Sequence, residues 1–313
     1  MTDRSGDAPQ NTSRPSQAPA ERAAGAPLVM LPGLMGNAEV FLPQLRALSG
    51  VVPTMIAPLL GGDRIELIAD HLLARLPARF SLAGLSMGGI VAMEILRRAP
   101  QRVSRLCLIS TSPLPDTPAQ AAEWEPLIIA ARSGRLADVL RSCLPVECLA
   151  PSPQRLDILN SIYEQALALG PELFVAQARA LQRRTDQQAA LRRFKGPSLI
   201  LCGAQDRLTP LKRHEFMAAL MPNARLHVVE EAGHLPTLEQ PDQVTGAIAE
   251  WLAEEDRQLG CPADLPADRQ SAAATTQPQR ISTPPAEPAA ASPSKPLPPL
   301  TLTNPLKPSD PIG

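Results

Sequence analysis

The chain reads as an α/β fold: a mostly parallel six-stranded sheet flanked by helices, with a helical segment inserted after the fourth strand. Three observations lead there. Short apolar runs alternate with amphipathic stretches, the pattern of a parallel sheet covered by helices. About 80 residues of Ala- and Leu-rich helical periodicity separate the fourth run from the fifth, too many for a crossover and too helical for a loop. All aromatic residues lie between Phe41 and Trp251, so both ends lack the large rings that build cores.

Each element has its own warrant. Leu28-Val29-Met30-Leu31 is a first strand, stopped by Pro32-Gly33. A helix at 40–48 leads to a second strand at 51–57, rich in β-branched residues. A helix at 65–76 precedes the third strand at 80–85, and a helix at 87–98 follows it, stopped before Pro100. The fourth strand is 103–110 and the fifth 198–202. A helix at 211–220 ends before Pro222, the sixth strand runs over 226–230, and a last helix is expected at 240–254 around Pro241. The layout is thus a core of 27–111 and 191–256, a helical insert of 112–190, and tails of 1–26 and 257–313.

The tails are expected to be disordered. Of 36 prolines, 13 fall in 257–313, where there is no aromatic residue. Such a segment cannot bury enough apolar area to offset its chain entropy. Within it, Lys295-Pro296-Leu297-Pro298-Pro299-Leu300 has the form of a polyproline ligand, but such matches are common by chance in Pro-rich sequence and a plain disordered extension is the default reading.

Composition excludes several function classes. With 30 Lys+Arg against 31 Asp+Glu there is no excess of positive charge to meet nucleic acid. No run of about 18 apolar residues occurs, so no membrane span is expected. The N-terminus has no apolar signal core, which points to a cytoplasmic protein. The five cysteines have no metal-ligand spacing and read as reduced thiols, so no metal site is expected.

The chemistry centres on Gly84-Leu85-Ser86-Met87-Gly88, placed between a strand and a helix. A serine on such a sharp turn needs small residues two positions before and after it, and its hydroxyl then stands at the C-terminal end of the strand. Serine alone is a poor nucleophile and needs a base with an orienting acid. Of the four histidines, His71 and His214 fall in amphipathic helices and are expected to be solvated, and His227 sits in a strand as a packed residue. His234 follows the sixth strand, at the sheet edge where Ser86 lies. Asp206 follows the fifth strand at the same edge, with Asp116 as the spare acid. The order Ser86, Asp206, His234 is that of a nucleophile-elbow hydrolase. Oxyanion donors are expected from the backbone N–H of Met87 and, after the first strand, from that of Leu34.

Together, Leu31-Pro32-Gly33-Leu34, the run from Gly84 to Gly89, Gly203-Ala204-Gln205-Asp206 and Ala232-Gly233-His234 resemble the α/β-hydrolase superfamily, and within it the small capped carboxylesterases and enol-lactonases. The resemblance implies a Ser–His–Asp mechanism through an acyl-enzyme, with no cofactor or metal and with 112–190 as the cap over the pocket. Pro32 stands where the family often has His, and no N-terminal hairpin is evident, so six strands are expected rather than eight.

The reading that follows is a hydrolase of small to medium, mainly apolar carboxylic esters or lactones. Trp124, Tyr163 and Leu235 are its candidate pocket residues. Acyl transfer, C–C bond hydrolysis and cofactor-free perhydrolysis are alternatives on the same fold, and a non-catalytic ligand receptor is an alternative of another class.

Overall fold

The computed structural model describes residues 26–254. The strands are β1 (Leu28–Leu31), β2 (Thr54–Ile56), β3 (Phe80–Leu85), β4 (Val103–Ile109), β5 (Ser198–Gly203) and β6 (Ala224–Val229). They form one sheet in the order β2-β1-β3-β4-β5-β6, with every pairing parallel. The strand that leads into the Gly-flanked serine, β3, lies in the interior of the sheet. Both expected tails, including the polyproline match, lie outside the described residues apart from Ala26.

Strand alternation explains why both faces are covered. Val29 and Leu31 join one buried cluster, which includes Leu82, Val91, Leu106 and Met217. Leu28 and Met30 join another, with Phe41, Leu85, Leu201 and Trp251. Successive side chains point to opposite faces, so a strand with two buried faces must be apolar throughout. The first face carries α2 (Ile65–Leu73) and α3 (Met87–Arg98), and the second carries α1 (Leu42–Leu48).

Boundaries shift where backbone groups find other partners. The second strand is shorter than its β-branched run suggests, because the amides of Val51 and Val52 both donate to Leu48 O and close α1. The expected helix at 40–48 opens instead as a 3-10 turn, Ala38–Phe41, capped by the Asn37 side chain.

Five helices lie between β4 and β5: α4 (Pro118–Arg132), α5 (Leu136–Cys143), α6 (Arg155–Leu169), α7 (Pro171–Gln182) and α8 (Gln188–Arg193). The first four have a core of their own around Ile128, Leu140, Ala166 and Phe174. After β5 come α9 (Leu211–Leu220), α10 (Pro236–Glu239) and α11 (Pro241–Ala253). α11 is the helix expected at 240–254, and α10 is a short additional turn before it; Pro241 has no N–H to continue α10, so the two stay separate. Trp251 on α11 is fully buried, and its indole N–H donates to Pro197 O at 3.2 Å. Among the described residues no helix is long and apolar enough to cross a membrane.

Candidate active site

Ser86 sits between β3 and α3 with φ +54° and ψ −116°, a conformation that L residues rarely adopt. The turn is possible because its neighbours are glycines. A Cβ on Gly84 would lie 2.4 Å from Gly88 O, and one on Gly88 would lie 2.2 Å from Leu31 O. The elbow is tied to the end of β4: the Ser86 amide donates to Ile109 O at 2.8 Å, and the Thr111 hydroxyl donates to Ser86 O at 2.7 Å.

The loops after β5 and β6 bring two further groups to Ser86. His234 Nε2 stands 3.0 Å from Ser86 Oγ, and His234 Nδ1 stands 2.9 Å from Asp206 Oδ2. Asp206 and His234 are both buried. The remaining acceptor capacity of Asp206 is filled locally. Its Oδ1 accepts the amides of Leu208 and Thr209 at 2.9 Å, and its Oδ2 accepts the Thr209 hydroxyl at 2.6 Å. Burial raises the Asp206 pKa, but the bonds and charge of His234 and the bonds from Thr209 outweigh it. The carboxyl is held below its ordinary range.

Met87 is the first residue of α3, so its amide has no partner within the helix. Leu34 is half-buried in the loop after β1, and that loop passes close to the serine. A Cβ on Gly33 would lie 3.4 Å from Ser86 Cβ. Met35, with φ +52°, is held by a residue the sequence reading missed. Gln177 on α7 accepts its amide at 2.8 Å and donates to Leu59 O at 3.0 Å. A buried glutamine on a helix gives no sequence signal of which loop it serves.

Asp116, the spare acid, is bound elsewhere: the Trp124 indole N–H donates to it at 2.9 Å, and Arg184 pairs with it at 2.8 Å. Trp124 also packs between the sheet cluster and the cluster of the inserted helices. Tyr163 donates its hydroxyl to Leu144 O at 2.6 Å, and Leu235 is buried against the second face of the sheet. His71 and His227 are half-buried.

His214 corrects an expectation. It is fully buried rather than solvated, because α9 packs against β5 and β6 with this residue turned toward the end of β4, where it accepts the Thr111 amide at 3.1 Å. Burial pushes its pKa down to about 4. Among the described residues no group of His, Cys, Asp and Glu is arranged to hold a metal ion.

Comparison with known proteins adds a family to this geometry. Residues 23–248 match the model of the alpha/beta hydrolase family. The chain is similar to the pimeloyl-[acyl-carrier protein] methyl ester esterase of Aromatoleum aromaticum, at 34% identity over 193 residues, 58% of this chain and 77% of that protein. Among solved structures it is similar to a thermophilic esterase from Thermogutta terrifontis, with a TM-score of 0.65 at 26% identity, covering 73% of this chain and 90% of that one. It shares its fold with the enol-lactonase of Burkholderia xenovorans LB400, with a TM-score of 0.66 at 22% identity over 75% of this chain and 94% of that one.

Proposed function

The chain belongs to the α/β-hydrolase family, and from that premise we propose that it is a serine hydrolase of carboxylic esters or lactones, acting through Ser86, His234 and Asp206. One observation carries the reading: an unbroken hydrogen-bond chain from Asp206 through His234 to Ser86, with links of 2.9 and 3.0 Å. The similarity to named esterases supports the same bond class.

In this mechanism Ser86 Oγ attacks the ester carbonyl as His234 Nε2 takes its proton. The backbone N–H groups of Met87 and Leu34 stabilise the resulting oxyanion. The intermediate expels the alcohol, which takes the proton from His234, and leaves an acyl group on Ser86. Water, deprotonated by His234, then releases the acid. Asp206 keeps the proton on Nδ1, so Nε2 is free to act as base, and it stabilises the imidazolium between steps. The reaction calls for no cofactor or metal.

The helices of 112–190 act as the cap, with Trp124, Tyr163 and Leu235 shaping a mainly apolar acyl pocket. The substrate is accordingly a small to medium ester.

A fluorophosphonate probe, with p-nitrophenyl acetate and butyrate as substrates, tests this on the wild type and Ser86→Ala. The wild type should label and turn over, and the variant should do neither. A wild type inert toward the probe and toward esters and lactones alike would sink the proposal. Hydrolysis surviving in Ser86→Ala would move the nucleophile elsewhere.

A further inference from the structure

Glu239, at the end of α10, directs its carboxylate back to the loop that carries His234. Oε2 accepts the amide of Gly233 at 2.8 Å, and Oε1 accepts that of Leu235 at 2.9 Å. The residues on either side of the imidazole therefore hang on one side chain. Oε2 also accepts the amide of Ala150 at 2.7 Å, and the amide of His234 itself donates to Cys148 O at 2.7 Å. All three amides of 233–235 are thus fixed, and two of the anchors, Cys148 and Ala150, belong to the segment between β4 and β5.

The chemistry suits an anion. Three N–H donors converge on two oxygens, an arrangement that a carboxylate satisfies and a carboxamide, with one acceptor oxygen, cannot. Burial holds the Glu239 pKa above its ordinary range, against the pull of the three amides and the charge of His234. Near the imidazole lie Asp206 at Nδ1, His214 and Cys148, with Arg213 beside His214 and Glu147, Arg155 and Arg207 beside Cys148. His214, at about 4, and Cys148, pushed up to about 12 by burial, are uncharged at neutral pH. Asp206 on Nδ1 and Glu239 on the flanking amides are thus the two carboxyl groups bonded to the imidazole and its loop.

We propose that Glu239 is a positioning residue for the general base: it fixes the His234 loop against the 148–150 segment. The inference rests on the reading of His234 as the base.

Glu239→Gln and Glu239→Ala test it in the full-length protein. The readouts are kcat and KM for p-nitrophenyl butyrate, the thermal midpoint, and the deshielded proton shared by His234 and Asp206 in the proton NMR spectrum. In Glu239→Gln, kcat should fall by about 10²-fold with KM little changed, as expected for a misplaced reacting group. The shared proton should broaden. Retention of kcat/KM within about threefold, with the same proton signal, would overturn the inference. If Glu239→Ala does not fold, Glu239→Gln carries the test. A wild type that turns over no ester removes the esterase reading, while the NMR arm still decides whether Glu239 orders the His234 loop.

Discussion

The backbone N–H of Thr111 donates to Nε2 of the fully buried His214 at 3.1 Å, joining positions 103 residues apart. The Thr111 hydroxyl in turn holds the Ser86 carbonyl, so α9 braces the Ser86 turn through one intermediary. His214→Phe keeps the ring volume but leaves the Thr111 amide buried without an acceptor. Stability should drop by about 1–3 kcal/mol, measured by urea unfolding at pH 7.

His214 also sets part of the acid response. Its pKa is about 4 in the fold against 6.5 ordinarily, so between these values the unfolded chain binds more protons than the native one. The contribution of this group is complete above about pH 6.5, declines as pH falls, and is gone below about pH 4, a loss of on the order of 3 kcal/mol. In His214→Phe this part of the slope should vanish. Urea midpoints measured between pH 4 and 7 on both proteins would reveal it, and parallel curves would contradict it.

Asp206→Asn retains an acceptor for the Leu208 and Thr209 amides but turns an NH₂ group toward His234 Nδ1. That favours the tautomer with its proton on Nε2, where the base should be free. Turnover of p-nitrophenyl butyrate should fall by up to about 10⁴-fold with the fold intact by circular dichroism. A negligible loss would remove Asp206 from the mechanism.

Gln177→Leu removes the acceptor for the Met35 amide and the donor to Leu59 O, freeing the loop that carries Leu34. With the proposed oxyanion donor displaced, kcat should fall by about 10²-fold and KM should change little. Steady-state kinetics and a melting curve on the same sample separate this from a general loss of fold.

The sequence revealed most where local rules and the site coincide. The bounds of β3 and α3 were legible because a strand, a Gly-flanked serine and a helix follow one another without a gap, so the turn is a local matter. The positions of Asp206 and His234 were legible as strand ends, since loops after parallel strands collect at one edge. His214 was not. Its helix has a polar, charged stretch around it, and the partner that makes burial acceptable is a backbone amide far upstream. Gln177 and Glu239 escaped for the same reason: each serves the backbone of a distant or folded-back loop, and backbone partners have no sequence signature. Trp124 and Tyr163 were legible as large rings in the insert but not as donors to Asp116 and Leu144.

The strand order has a kinetic consequence. Ser86 and His234 are 148 residues apart, and they face each other only after β4, β5 and β6 have added in turn beside β3. Parallel pairings close long loops and form slowly. On dilution from denaturant, helical signal should therefore return before turnover does, and the interval between them times the docking of the last strands.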